Sequence, residues 1–216
     1  MKTISTGFDR RNFIKTTTAA VTTGILGLSG FGQTLQAGAR SSADELYVIG
    51  PMDGYTPQVG TLVSMLNYNR QTIINSIKGL SMEQLDYLHD EEANTIGALV
   101  LHLGAVEKYY QINTFEERQE FSKEEEKEWG AAMNLGDEGR EQIKGHKAEY
   151  YIDVISQVRE KTLEELKKKD DDWLLAVDPV WSKERPLNTY WKWFHVCEHE
   201  SNHRGQIAWL LSRIQK

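Results

Sequence analysis

Along most of the chain beyond residue 57, apolar residues return every three or four positions, the period of a helix that turns one face to a core. Between Gln58 and Lys78 the stripe is Val59, Leu62, Leu66, Ile73 and Ile77, and Gly79 is placed to end it. A second stripe, Ile96, Leu99, Leu103, Val106 and Tyr110, follows Asn94 and Thr95, either of which can cap a helix with its side-chain oxygen. The third spans Ala148 to Lys169 through Tyr151, Val154, Ile155, Val158, Thr162 and Leu166. It closes on Lys167, Lys168 and Lys169, cations that suit the negative end of a helix dipole. The last helix is expected to start after Asn188 and to run to about Arg213.

The segments between these stripes read differently. Residues 115–146 are dense in charge, including Glu124-Glu125-Glu126, and are punctuated by glycine, which predicts short helical pieces and loops over the surface. Asp170-Asp171-Asp172, then Pro179 and Pro186, mark a connection, and residues 40–57, with Pro51, Gly54 and Pro57, form an extended lead-in. No internal repeat is visible. Four amphipathic helices joined by long connections predict an all-α four-helix bundle over residues 58–216.

The first forty residues break the pattern. Arg10-Arg11 sit in Asp9-Arg10-Arg11-Asn12-Phe13-Ile14-Lys15, after which no charge appears until Arg40, and Ala37-Gly38-Ala39 closes the stretch. A basic region, an apolar region and a small-x-small site in that order describe a secretory signal, and the adjacent arginines resemble the twin-arginine export signal. Residues 1–39 are therefore expected to be a cleaved signal peptide, and the protein periplasmic or otherwise exported. Five threonines (Thr16, Thr17, Thr18, Thr22, Thr23) and five glycines between Gly24 and Gly38 make the stretch poorly apolar for a spanning helix, so no stable membrane insertion is expected after cleavage.

Composition narrows the function. With 216 residues, 39% hydrophobic and 26% charged, the chain is an ordinary globular one with room for a single core. Residues 1–39 hold Lys2, Arg10, Arg11 and Lys15 against Asp9, which leaves 21 basic and 31 acidic residues and a net charge of −10 beyond them. An acidic surface repels phosphate backbones and argues against nucleic-acid binding. Cys197 is the single cysteine, so no internal disulfide can form.

The chemistry concentrates in the last helix, in His195-Val196-Cys197-Glu198-His199-Glu200-Ser201-Asn202-His203. Histidines four apart lie one turn apart on one face, about 6 Å between β-carbons, so two imidazoles can converge on one ion. The pairs His195/His199 and His199/His203 both qualify, but His195 and His203 are about 12 Å apart along the axis and cannot serve together. Cys197 projects about 200° from His199 and joins neither pair. A metal site needs a third ligand. His102, set in the apolar run Leu99-Val100-Leu101-His102-Leu103, is the candidate, since a buried imidazole requires a partner. The alternative for it is an ordinary hydrogen-bonded core histidine. His199-Glu200-Ser201-Asn202-His203 also satisfies H-E-x-x-H, the zinc-protease helix in which the glutamate is the general base. Glycine and histidine of the extended protease motif would fall at Gln206 and Trp209, and neither is present. Glu200 stays a candidate catalytic base beside the ion, though it points about 100° from His199.

A late helix reading His199-x-x-x-His203-Arg204-Gly205-Gln206-Ile207, preceded by a histidine in an early apolar helix, resembles the DinB-like (YfiT-type) superfamily. The resemblance covers essentially all of the chain beyond the signal. It implies a four-helix bundle with a three-histidine divalent metal site, hence His102, His199 and His203 as ligands, with zinc or nickel foremost and iron or manganese as further options. Arg204 and Gln206 would fix the helix by hydrogen bonding and Gly205 would permit close helix contact. His195 departs from the pattern, either as a satisfied histidine or as a group facing the site. Three neutral imidazoles leave an ion dicationic with open positions. The expectation is a metal-dependent hydrolase acting on a small molecule, with a thiol S-transferase or a non-catalytic metal-binding module as alternatives. Thiol cofactors are usually cytoplasmic, which favours hydrolysis in an exported protein. The resemblance also leaves room for a homodimer, and the aromatics Trp181, Tyr190, Trp191, Trp193, Phe194 and Trp209 are expected mostly in the core.

Overall fold

Most of the described helices begin where a side-chain oxygen takes up backbone N–H groups that lack an intrahelical acceptor. In the computed structural model, which describes residues 46–181 and 185–214, α1 spans Pro57–Ile77 with proline in its first turn. Its cap comes from far along the chain. Asp171 Oδ1 accepts from Thr56 Oγ1 at 2.5 Å and from the backbone N–H of Gln58 and Val59 at 3.0 and 3.2 Å. Gly79, at φ +85°, turns the chain after α1, a conformation that favours glycine. The short α2 (Met82–Leu85) starts on a Ser81/Gln84 capping box. Helix α3 (Ile96–Phe115) starts at Thr95, whose hydroxyl accepts from Ala98 N at 3.0 Å.

The charged stretch contains α4 (Lys123–Asn134), opened by a Ser122/Glu125 capping box, and α5 (Gly136–Gln142). Then come α6 (Ala148–Leu166), α7 (Asp171–Leu175, capped by Asp170) and α8 (Thr189–Leu211). Asn188 Oδ1 caps α8 by accepting from Trp191 N at 2.9 Å. The connection around Asp170–Asp172 is thus partly helical, because Asp170 Oδ1 caps it by accepting from Trp173 N at 2.8 Å. The expected signal peptide and residues 40–45 of the lead-in lie outside the described residues.

Helices α1, α3, α6 and α8 make the bundle. Both α1 and α3 pack against α6 and α8, so the α1/α3 and α6/α8 pairs are diagonal. The core divides into two apolar clusters. One holds Ile73, Ile77, Leu99, Leu103, Tyr151, Ile155, Ile207 and Leu210, the other Val59, Leu62, Leu66, Tyr110, Leu166, Trp193 and Val196. Helices α1 and α8 reach the second cluster with their N-terminal halves, α3 and α6 with their C-terminal ends. The four therefore run up, down, down, up. Because α3 and α6 are neighbours running the same way, the chain must return between them, and residues 116–147, with α4 and α5, make that crossover.

Among the described residues there is no named strand, only an isolated bridge between Val177 and Asn188, and no helix is long and apolar enough to cross a membrane.

Candidate metal centre

Three imidazoles meet where α3 faces α8. His102 comes from α3, and His199 and His203 lie one turn apart on α8. His102 Nε2 is 3.2 Å from His199 Nε2, which is 3.1 Å from His203 Nε2, and one ligand atom from each residue falls within 4.8 Å of the others. Such separations suit a single ion, since two nitrogens each about 2.0–2.1 Å from a tetrahedral zinc stand roughly 3.3 Å apart. The group could hold a metal ion.

The opposite edges of the rings explain why the lone pairs point inward. His102 Nδ1 is 2.8 Å from the carbonyl of Ala132, on α4, and an oxygen there requires Nδ1 to carry the proton. His203 Nδ1 is 3.2 Å from Gln206 Oε1, one turn on along α8. With both Nδ1 atoms donating, the Nε2 atoms of His102 and His203 are left as acceptors facing His199. A proton on His199 Nε2 can satisfy only one of these two contacts. A cation at the centre satisfies all three lone pairs together.

The histidines are also held neutral. Burial, then the charges of His203, His102 and His195, push His199 down to about 3. His203 is pushed down to about 4 by burial and by His102, against the hydrogen bond to Gln206. His102 is lowered by burial, which outweighs its bonds to the Ala132 and Met133 backbone. Neutral imidazole is the form that ligates a metal.

Glu200 is elsewhere. The residue expected as a base beside the ion is turned into the bundle and is 1% exposed. Its Oε1 accepts from Arg70 Nε at 3.0 Å, from Arg70 Nη2, and from Arg159 Nη2 at 2.9 Å. The physical reason is the rotation of about 100° per residue, which carries position 200 off the face shared by 199 and 203.

The network around Glu200 was not anticipated. Glu107, fully buried on α3, accepts from Arg159 Nε at 2.7 Å, Arg159 Nη2 at 3.1 Å, Arg70 Nη2 at 2.6 Å and Thr162 Oγ1 at 2.6 Å. Burial pushes Glu107 up, but Arg159 and Arg70 outweigh it and bring it down to about 2. Two arginines and two glutamates, one from each long helix, make a neutral quartet between the two apolar clusters. A signal was present in the sequence. Arg70 stands three or four positions from Leu66 and Ile73, Glu107 from Leu103 and Tyr110, and Arg159 from Ile155 and Thr162, each a charge on its helix's apolar stripe.

The remaining expected residues separate. His195 Nδ1 bonds Glu198 Oε1 at 2.7 Å, and its ring stacks on Trp191 with centroids 5.3 Å apart, outside the three-histidine group. Cys197 is buried and takes no part in that group, and burial, with Glu200, pushes its thiol up to about 12. Arg204 donates to Thr72 Oγ1 at 2.9 Å and lies over the Tyr68 ring, fixing α8 to α1. Gly205 does not serve a close helix contact, because it is exposed and a Cβ there would meet nothing within 4 Å. It lines a groove of about 590 Å³ with Asn94, Leu99, Asn202, Gln206 and Trp209. Of the aromatics, Trp193 is core, whereas Trp191, Phe194 and Trp209 are exposed.

Comparison with known proteins places the chain. A family model described as mycothiol-S-transferase matches residues 61–215, from the first turns of α1 past the end of α8. That family is part of the DinB-like superfamily. Nothing among curated proteins matches. The match covers most of the chain and includes all three clustered histidines, and the chain belongs to the mycothiol-S-transferase family.

Proposed function

We propose that this member of the mycothiol-S-transferase family is a divalent-metal-dependent enzyme that transfers a low-molecular-weight thiol to a small organic acceptor, with His102, His199 and His203 holding the ion. The observation that carries the metal is the convergence of three Nε2 atoms at 3.1–3.2 Å steps, two of them left as acceptors by hydrogen bonds at the opposite ring edge. When bound, the ion supplies Lewis-acid activation of a thiol or a water that reaches its open side. The chain's own residues prepare the site. Ala132 and Gln206 orient two of the rings, and burial keeps the imidazoles unprotonated so that they remain donors of electron pairs. Zinc or nickel suits three imidazoles best, with iron and manganese as further options.

The family description supports thiol transfer over hydrolysis. Metal-dependent hydrolysis is the second reading, favoured by the twin-arginine-like segment at residues 10–15, because an exported enzyme would be parted from cytoplasmic thiols. Export itself is part of that second reading.

The test is metal analysis of the purified, unsupplemented chain beside His102→Ala and His203→Ala. Near-stoichiometric metal in the parent and its loss in both variants is expected. Metal that survives both substitutions would overturn the site. Turnover of a small thiol with an electrophile, abolished by a chelator and restored by Zn²⁺ or Ni²⁺, then separates transfer from cleavage of esters and amides under the same conditions.

A further inference from the structure

We propose that the buried Arg70–Glu107–Arg159–Glu200 quartet is the positioning device of the histidine cluster, fixing the rotation and register of the two helices that carry it; this rests on reading that cluster as a metal site.

The division of labour between helices is the starting point. Helix α3 carries His102 and, five residues on, Glu107, and α8 carries His199, Glu200 and His203. Helices α1 and α6 contribute no histidine to the cluster, yet each contributes one arginine. Each arginine bonds both carboxylates. Arg70 reaches Glu107 Oε2 at 2.6 Å and Glu200 Oε1 through Nε at 3.0 Å, and Arg159 reaches Glu107 Oε1 at 2.7 Å and Glu200 Oε1 at 2.9 Å. The arginines are themselves anchored crosswise. Arg159 Nη1 donates to the Leu66 carbonyl of α1 at 2.6 Å, and Arg70 Nη1 donates to the Ile155 carbonyl of α6. The two helices without ligands are thus bolted to each other, and the two helices with ligands are bolted to that frame.

Rigid planar forks make this a precise brace. A side-chain nitrogen roughly 6 Å from its helix axis moves about 1 Å when the helix rotates by about 10°, whereas a metal–nitrogen bond tolerates about 0.2 Å. Apolar packing alone permits such a slip more readily than a quartet held by directional hydrogen bonds. Glu200 lies directly after His199 and three positions before His203, so holding its carboxylate holds the rotation of both imidazoles. Glu107 does the same for α3. The charges balance, two against two, so the brace leaves no net charge in the core.

The paired swap Glu107→Leu with Arg159→Met removes one acid and one base together. It keeps the interior neutral and leaves the Arg70–Glu200 pair, so the urea midpoint is expected near that of the parent. Zn²⁺ affinity of the full chain, measured by competition with a chelating dye, is expected to fall about 10- to 100-fold, and the visible absorption of the Co²⁺-loaded chain to change. Leu62→Ala, fully buried in the cluster away from the histidines, is the control: it lowers the urea midpoint and keeps the parent's Zn²⁺ affinity. Should the paired swap fail to fold, the isosteric Glu107→Gln carries the same comparison against Leu62→Ala. Parent-like Zn²⁺ affinity and Co²⁺ absorption in the braceless variant would overturn the proposal. So would a matching loss in Leu62→Ala, because affinity would then only follow stability. A parent chain that takes up neither ion overturns the metal site and the brace with it.

Discussion

Mild acid should destabilise the metal-free protein, and the steepness of that loss is set by the histidine cluster. In the unfolded chain each imidazole titrates near 6.5. In the folded chain burial and the neighbouring rings push His199 down to about 3 and His203 down to about 4. Between these limits the unfolded state binds protons that the folded state refuses, so stability falls as the pH is lowered from about 6.5 towards about 4. For two groups the slope approaches about 2 kcal/mol over the unit from pH 6 to pH 5, where ordinary carboxylates are still ionised. With a urea m-value of about 2 kcal/mol/M for a domain of this size, the midpoint moves down by roughly 1 M. His102 is shifted in the same direction and adds to the slope. The assay is urea unfolding by circular dichroism at half-unit steps from pH 7 to 5, in the presence of a chelator. His203→Gln beside it should lower the slope by about one proton. A midpoint that stays level across this range would refute the reasoning, since it would mean that the three rings are not held neutral. Saturating Zn²⁺ should raise the midpoint at pH 7, and its effect should fade on acidification as protons compete for the same nitrogens.

Three further outcomes follow from the neighbouring contacts. Lys192, 1% exposed, is bonded to Asp178 and, at 2.6 Å, to Asn113 Oδ1, so Asp178→Ala should cost about 3 kcal/mol in urea unfolding by stranding a buried cation, and adding Lys192→Met should restore most of it. Asn188→Ala removes the cap of the helix that carries two of the histidines and should cost about 1 kcal/mol, a fall of roughly 2–4 °C in the thermal midpoint. Gln206→Ala frees His203 Nδ1 and should weaken Zn²⁺ binding about tenfold with little change in the urea midpoint, because Gln206 is exposed and its role is to orient one ring.

Much of this was legible in the chain, and the physical reasons differ from residue to residue. Periodicity and capping chemistry located α3 and α8 closely because Thr95 and Asn188 do for the backbone what their side chains allow anywhere. The His199/His203 pair was legible because one turn of helix is local geometry. That His102 meets them depends on how α3 packs on α8, and only the resemblance and the demand of a buried imidazole for a partner pointed there. The cap that Asp171 gives α1 spans more than a hundred residues of sequence and leaves no local mark. Gly205 was misjudged for the opposite reason: glycine in a helix suggests close approach, but here the space beside it is an open groove.

Glu200 shows why a pentapeptide does not define a site. His199-Glu200-Ser201-Asn202-His203 has the spacing of a zinc-protease helix, and in such a helix the glutamate must work beside the ion. What decides is the surroundings of the face at position 200. Here that face meets Arg70 and Arg159 from the two helices that supply no histidine to the cluster, and Glu107 lies beside them. Both arginines donate to its Oε1, and burial in the bundle turns the carboxylate away from the face that the three imidazoles share. The same sequence therefore divides by angle: 199 and 203 face the cluster and 200 faces the core. On the proposed reading a loss of turnover in Glu200→Gln should therefore track the loss of metal and of stability rather than exceed them, and a loss that exceeds both would put Glu200 in the chemistry.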